Sequence, residues 1–292
     1  MERQDFTFES GGDRLIGNLF LPEQQPIAAI VTTGPLTSVK EQAPGAYARA
    51  LAERGFAALA FDHRYFGKSD GQPRQFENPM AKVEDIRAAV SALQNDKRTQ
   101  GLPVMAVGIC AGGGYMAMAV GQEDRFRAFS GIAGVYSDST ATRQWLRERY
   151  DAEIKRARVA EHNWRKTGVA ETIPAVAPNG GDVAMPLREA YEFYGTTRGA
   201  VPNYINAFAV QSRAYTLPFN ALTAALAIKV PTFIAHSEKA LTPDLAHRFY
   251  AAVAAPKEEL WLKSSGQIDF YDDPKLIEPV SDAVARFFST CL

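Results

Sequence analysis

The sequence predicts an α/β protein with a mostly parallel, eight-stranded twisted sheet, helices on both faces and a helical cap insertion. The first observation is that short apolar runs alternate with segments of helical periodicity. Such alternation favours a parallel sheet with right-handed crossovers and helices on both faces. The second is a break in this alternation in the middle of the chain. The third to eighth predicted strands are residues 28–33, 56–61, 103–109, 129–135, 230–236 and 258–263.

The first two strands are predicted to form a hairpin. Residues 5–9 and 14–22 are strand-like segments joined by Gly11-Gly12-Asp13, a strong turn signal. This hairpin would supply an antiparallel edge to the sheet. The helices that follow the later strands are predicted from apolar residues at helical spacing. They cover residues 45–54, 80–94, 112–120, 243–252 and 274–288.

The interrupted segment, residues 136–229, falls between the sixth and seventh predicted strands and is rich in aromatic side chains. We expect it to form a cap, or lid, over the carboxyl edge of a core made of residues 1–135 and 230–292. Its aromatic content indicates a largely apolar or aromatic substrate group. Trp145 and Tyr194 in the cap, with Tyr65 after the fourth strand, are the expected substrate-binding side chains.

Composition narrows the class of protein. The chain has 292 residues with 46% hydrophobic and 22% charged residues, which is typical of a globular enzyme and not of a disordered chain. The formal net charge of −1 gives no basic field for nucleic acid. No apolar stretch is long enough for a membrane span, and no leader-like segment opens the chain. We expect a cytoplasmic protein that acts on a small-molecule substrate, without cofactor or metal; a homodimer is left open.

Cys110 is the expected nucleophile. It stands in Gly108-Ile109-Cys110-Ala111-Gly112, between a predicted strand and a predicted helix, where ligands of open α/β sheets bind. A nucleophile elbow holds its central residue in a strained turn, and the flanking glycines allow the chains to approach closely. A helix N-terminus is expected to lower the pKa of such a cysteine. The N–H groups of Ala111 and Leu36 are the expected oxyanion hole.

Several segments resemble the α/β-hydrolase superfamily, and within it the dienelactone-hydrolase-like group that has cysteine at the elbow. Residues 39–42 resemble the segment after the third strand, 61–71 the turn after the fourth, 83–90 the following helix, and 267–272 the loop before the last helix. Together with the elbow, these matches cover nearly the whole chain. The resemblance implies hydrolysis of an ester, lactone or thioester through an acyl-enzyme.

The chain departs from this family at two catalytic positions. The loop after the last strand usually carries the catalytic histidine, and the matching residue here is Gln267. A glutamine amide takes no proton near neutral pH, so Gln267 could orient substrate or water but could not act as a base. The usual acidic residue after the seventh strand corresponds to about Ala240, with Glu238 and Asp244 nearby.

Other residues are therefore considered as the base. His236 ends the seventh strand at the catalytic edge and is the preferred histidine; His63 ends the fourth. Glu41 follows the predicted oxyanion loop, and the resemblance favours it because the dienelactone-hydrolase-like group has a glutamate near its cysteine. Asp269 is a weaker candidate that is expected to cap a turn.

Three functions remain open at this stage. The leading hypothesis is a hydrolase of small carboxylic esters, thioesters or lactones. An elbow without its histidine is also compatible with a lyase, cyclase or acyltransferase. The third is a non-catalytic protein that binds a ligand but has lost the triad, since one fold hosts many functions.

Overall fold

A computed structural model describes residues 1–292, and its central sheet has eight strands. The predicted α/β class and strand number are confirmed. In space the strands follow the order β1-β2-β4-β3-β5-β6-β9-β10, and all neighbours from β4 onward are parallel. The strands are β1 (Glu2–Ser10), β2 (Asp13–Leu21), β3 (Ala29–Thr33), β4 (Ala57–Phe61), β5 (Val104–Ile109), β6 (Phe126–Ile132), β9 (Thr232–His236) and β10 (Lys257–Trp261).

The predicted hairpin at the start of the chain is also confirmed. β1 and β2 pair antiparallel around Gly11 and Gly12, both of which have positive φ angles. β2 then pairs antiparallel with β4, so the hairpin closes one edge of the sheet. The prediction erred at the end of β6, which was expected to reach residue 135. The strand stops at Ile132 because Ala133 turns the chain with a φ of 41°.

Helices cover both faces of the sheet, and each face has its own apolar core. One core contains Cys110 and packs under the helices of residues 43–52 and 274–289, and the other packs under those of residues 79–95, 111–120 and 243–252. This explains why β3, β4 and β5 are buried along their whole length. The helices outside the insertion are α1 (Ala43–Ala52), α2 (Pro79–Asn95), α3 (Ala111–Val120), α8 (Pro243–Ala252), α9 (Asp269–Asp272) and α10 (Pro274–Ser289).

The chain leaves the sheet after β6 and returns at β9, as predicted. The intervening elements are α4 (Ser139–Leu146), α5 (Glu148–Thr167), β7 (Thr172–Ile173), α6 (Arg188–Tyr194), β8 (Phe208–Ala209) and α7 (Arg213–Thr216), with β7 and β8 paired antiparallel. Two 3₁₀ segments, Val210–Ser212 and Ala221–Leu226, complete the insertion. That residues 136–229 form a separate cap domain stays a prediction.

Hydrogen bonds tie the insertion to the loops at the carboxyl edge of the sheet. Four of them run from Gln42 Nε2 to the Gly199 oxygen (2.9 Å), from Asn203 Nδ2 to Glu41 (2.7 Å), from the Glu77 N–H to Ser212 Oγ (2.9 Å) and from the Gln267 N–H to Glu189 (3.0 Å). The insertion therefore contacts the loops that follow β3, β4 and β10. No helix in the structure combines the length and the apolar character needed to cross a bilayer.

Candidate active site

Cys110 occupies a strained turn between β5 and α3. Its backbone has φ 55° and ψ −125°, a conformation that a non-glycine residue adopts rarely. Glycine is required on the helix side of the turn, because a Cβ on Gly112 would lie 2.6 Å from the carbonyl oxygens of Thr33 and Gly34. The backbone also fixes the turn through hydrogen bonds from the Cys110 N–H to Ile132 (3.1 Å) and from the Val135 N–H to the Cys110 oxygen (2.8 Å). The predicted elbow geometry is therefore present at this position.

The thiol lies in an enclosed site, with Cys110 only 6% exposed. Burial raises its pKa above the ordinary 9.0, and hydrogen bonds from Tyr271, from the Ala111 and Leu36 N–H groups and from Gln267 offset part of this effect. The sequence predicted a lowered pKa from the helix N-terminus. That prediction was wrong because the loss of solvation exceeds the contribution of the helix. At neutral pH the resting group is the thiol.

Two backbone N–H groups, those of Ala111 and Leu36, lie beside the sulfur. That they form an oxyanion hole stays a prediction. The Ala111 N–H belongs to the first turn of α3, where an N–H has no intrahelical acceptor. The Leu36 N–H donates to no protein oxygen in its loop. The next residue, Thr37, has a positive φ of 62°. Donors without a partner beside a nucleophile are the arrangement that stabilises a developing oxyanion.

Gln267 lies beside the thiol, and its amide is fixed on both sides. The oxygen accepts a hydrogen bond from the Leu241 N–H (2.9 Å), and the nitrogen donates to the Ala133 oxygen (2.8 Å). The side chain is completely buried. Because the amide oxygen is already occupied and nearly non-basic, Gln267 can donate toward the sulfur but cannot accept its proton.

The structure does not bring a histidine to the thiol. His236 is buried, with Nδ1 3.0 Å from the Ser237 oxygen and Nε2 without a partner, and its ring packs on Trp261. Burial lowers the pKa of His236, so the ring is neutral at pH 7. His63 is held elsewhere, between Thr33 Oγ1 (2.7 Å) and Asp85 Oδ2 (3.2 Å).

The two candidate carboxylates are also engaged away from the thiol. Glu41 is paired with Lys40 (2.8 Å) and accepts a hydrogen bond from Asn203 (2.7 Å), beside a surface cleft. Asp269 accepts from the Ser265 N–H (2.7 Å), which is the turn-capping role that the sequence favoured. Neither carboxylate makes a hydrogen bond to Cys110.

The three side chains expected to bind substrate, Tyr194, Tyr65 and Trp145, differ in burial and in contacts. Tyr194 is buried in the same apolar core as Cys110. The Tyr65 ring packs on Phe76, with a ring-centre distance of 5.1 Å. Trp145 is 76% exposed on α4 and therefore lines no enclosed site.

Sequence analysis missed Tyr271 and Glu77. Tyr271 lies one helical turn after Gln267, so the spacing of the loop could have identified it. Glu77 is a fully buried carboxylate that accepts from the Thr37 N–H (3.1 Å) and the Tyr115 hydroxyl (2.8 Å) and pairs with Lys82 (2.6 Å). It thus joins the loop of Leu36 to the helix that follows Cys110. No local sequence signal marks it.

Comparison with known proteins identifies relatives of the whole chain. A family described as serine aminopeptidase, S33, matches residues 42–169. The uncharacterized protein PA2218 of Pseudomonas aeruginosa is 31% identical over 99% of this chain and 80% of its own length. The crystal structure of PA2218 superposes with a TM-score of 0.88 over 100% of this chain and 94% of that one, at 28% identity.

Two further matches carry descriptive names. The α/β-hydrolase GrgF from Penicillium has a similar fold, with a TM-score of 0.79 at 22% identity over 100% of this chain and 98% of that one. Thiohydrolase aneE of Aspergillus aculeatus is 32% identical over 110 residues, which cover 38% of this chain and 33% of aneE.

Proposed function

The chain belongs to the α/β-hydrolase superfamily, and from this premise we propose that it cleaves small carboxylic esters, thioesters or lactones through an acyl-enzyme on Cys110. Thioesters are the class we favour. The observation that carries the proposal is the position of the thiol, on a strained elbow where the Leu36 and Ala111 N–H groups meet it.

Acylation would begin with attack of the Cys110 sulfur on the carbonyl carbon. The carbonyl oxygen gains negative charge and accepts hydrogen bonds from the Leu36 and Ala111 N–H groups. Collapse of this intermediate breaks the bond to the leaving group, which departs as an anion and takes a proton from water. The proton of Cys110 is released before the attack, because the thiolate is the nucleophile. A thiol leaving group needs less help from an acid than an alkoxide does, because thiols are far more acidic than alcohols.

Deacylation would be the slow step. Water must attack the acyl carbon and lose a proton, and the residue beside the sulfur is Gln267, which is not a base. General bases typically accelerate such steps by about 10²–10⁴-fold. We therefore expect an acyl-enzyme that forms quickly on Cys110 and is hydrolysed slowly. The name of the relative aneE, a thiohydrolase, agrees with a thioester substrate.

The locked amide of Gln267 also favours a second candidate, a non-hydrolytic reaction of the same acyl-enzyme. If water is not activated, a nucleophile supplied by a second substrate can accept the acyl group, which would make the protein an acyltransferase. A nucleophile within the acyl chain would make it a cyclase. Both reactions use the same first step and differ in the acceptor.

Intact-protein mass spectrometry tests the first step. Wild type, Cys110→Ala and Cys291→Ala are mixed with an activated aryl ester and, separately, with an N-acetylcysteamine thioester. Cys291→Ala is the matched control because Cys291 is the other free cysteine and is more exposed. We expect one adduct on wild type and on Cys291→Ala, and none on Cys110→Ala. An adduct that depends on Cys291, or no adduct with any acyl donor, would refute the claim that Cys110 is the nucleophile.

Decay of the adduct separates the two candidate functions. Release of free acid by water supports the hydrolase. An adduct that is stable in buffer but is discharged by added amine, alcohol or thiol supports the acyltransferase.

A further inference from the structure

The hydroxyl of Tyr194 is buried without a hydrogen-bond partner. The residue is 5% exposed, and its oxygen contacts no protein donor or acceptor. A buried polar group in this condition destabilises the folded state, so such groups in native proteins usually have a ligand, a water or a function. The residue lies at the end of α6, in the insertion between β6 and β9.

The ring of Tyr194 belongs to an aromatic wall beside the thiol. It stacks on Tyr204 with a ring-centre distance of 5.1 Å and meets Tyr271 edge-on at 6.5 Å. Tyr271, together with Gln267, is a side chain whose hydrogen bond lowers the pKa of Cys110. The Tyr204 hydroxyl in turn lies 3.5 Å from Thr37 Oγ1, in the loop of the Leu36 N–H. The Tyr194 ring is thus packed between Tyr271, beside the thiol, and Tyr204, beside the oxyanion loop.

The tyrosine hydroxyls of this wall are hydrogen-bond donors. Burial, together with the neighbouring groups of Tyr204 and Cys110, raises the pKa of Tyr194 well above its ordinary value, and burial likewise raises the pKa of Tyr271. Both phenols remain protonated at any physiological pH. The O–H proton of Tyr194 therefore needs an acceptor on the ligand.

The charge of the surroundings favours a neutral acceptor. The carboxylate that acts on Tyr194 is Glu77, and it is already paired with Lys82 at 2.6 Å. This pair leaves no free positive charge to balance a carboxylate on a ligand, and an unbalanced buried charge is far more costly than a buried carbonyl. The carbonyl oxygen of the scissile bond is already expected to accept from the Leu36 and Ala111 N–H groups. The Tyr194 hydroxyl therefore needs a second oxygen elsewhere on the substrate.

We propose that Tyr194 donates a hydrogen bond to a neutral oxygen on the acyl group, and that the preferred substrates are oxo-acyl thioesters. The inference rests on the proposed function and adds its substrate class. The acyl group, unlike the leaving thiol, stays beside Cys110 in the enclosed site. A plain alkyl chain would leave the Tyr194 hydroxyl unsatisfied. The aromatic wall still provides the apolar surface that the sequence predicted.

Binding to an unreactive protein tests the inference separately from catalysis. In a Cys110→Ala background, calorimetry compares the N-acetylcysteamine thioesters of 3-oxobutanoate and butanoate, which differ by one oxygen. We expect tighter binding of the oxo compound, and we expect Tyr194→Phe to reduce this preference roughly 3- to 10-fold, as one hydrogen bond does. Tyr136→Phe is the matched control: its hydroxyl is also buried and orphaned, but its ring stacks on Phe249 in the other core. It should leave the preference unchanged.

A second measurement shows that the variants are folded. Removing an orphan hydroxyl should raise the unfolding temperature of both Tyr→Phe variants in the absence of ligand. Equal binding of the two thioesters, or a preference that survives Tyr194→Phe, would overturn the inference. A preference that is lost in Tyr194→Phe, combined with no acyl adduct on Cys110 of the wild type, would support the hydrogen bond from Tyr194 to the substrate oxygen. The same result would refute the proposed acyl-enzyme.

Discussion

Replacing Gln267 by histidine and Ala240 by aspartate together should make hydrolysis of the acyl-enzyme faster than in the wild type. Gln267 lies beside the Cys110 thiol, and Ala240 is a buried residue adjacent to Leu241, whose N–H donates to Gln267. A histidine at 267 would supply the missing proton acceptor. An aspartate at 240 would orient the ring and stabilise its protonated form, as the carboxylate of a catalytic triad does.

The expected gain in deacylation rate and the expected loss of folding stability follow from the role and the contacts of Gln267. A general base contributes about 10²–10⁴-fold, which corresponds to about 2.7–5.4 kcal/mol of transition-state stabilisation. The substitution removes the two hydrogen bonds to Leu241 and Ala133. A group left without a partner costs about 1–3 kcal/mol of folding stability. We expect deacylation to accelerate about 100-fold, the lower end of the range, in a less stable protein.

The assay follows the mass of the acyl adduct after excess thioester is removed. Gln267→His alone should accelerate decay less than the double variant, and Ala240→Asp alone should not accelerate it, because it adds no base beside the sulfur. Urea unfolding of each variant reports the stability. A folded double variant whose adduct decays no faster than that of wild type would refute the reasoning that the missing base limits turnover.

Three further predictions follow from the same contacts. Because burial raises the pKa of Cys110 and the thiolate is the nucleophile, the acylation rate should increase with pH through neutrality and beyond pH 9. Tyr271→Phe removes a hydrogen bond that lowers this pKa. The rate–pH profile of this variant, measured by stopped flow, should therefore shift to higher pH. Glu77→Gln should lower the free energy of unfolding by about 3–5 kcal/mol in urea titrations, because it leaves the buried Lys82 unpaired; a loss as small as that of an exposed ion pair would contradict this. Trp145→Ala should change neither acylation kinetics nor unfolding by more than about 0.5 kcal/mol, since the side chain is exposed; a marked rise in KM would instead favour the sequence prediction that Trp145 binds substrate.

Most of the fold could be predicted because it depends on local signals. Apolar runs with few charges indicated the buried parallel strands, and Gly11 and Gly12 indicated the hairpin. The elbow could be predicted for the same reason, since its strain requires glycines within two residues of Cys110. The exact end of β6 could not, because it depends on the turn at Ala133 and not on hydrophobicity.

The environment of the thiol could not be read from the sequence. Glu77 lies in a loop between Phe76 and Asn78 and has the pattern of a solvated charge, yet side chains and backbone from three other elements bury it. The pKa of Cys110 was predicted with the wrong sign because the helix N-terminus is visible in the sequence whereas the depth of burial is not. His236 and Glu41 were candidates for the base because the sequence places both near the catalytic edge of the sheet. The direction in which each side chain points is set by tertiary packing, and both are engaged with other partners.

The hydrogen bonds between the insertion and the sheet loops have a consequence for how ligands enter. The thiol is almost fully enclosed, so we expect a substrate to reach it only in molecules in which these four bonds are broken together. Four bonds at about 1 kcal/mol each would leave on the order of one molecule in a thousand open at any moment. The observed association rate constant is then that of the open form multiplied by this small fraction. Weakening the hydrogen bond between Gln42 and Gly199 should therefore increase the association rate of every substrate alike.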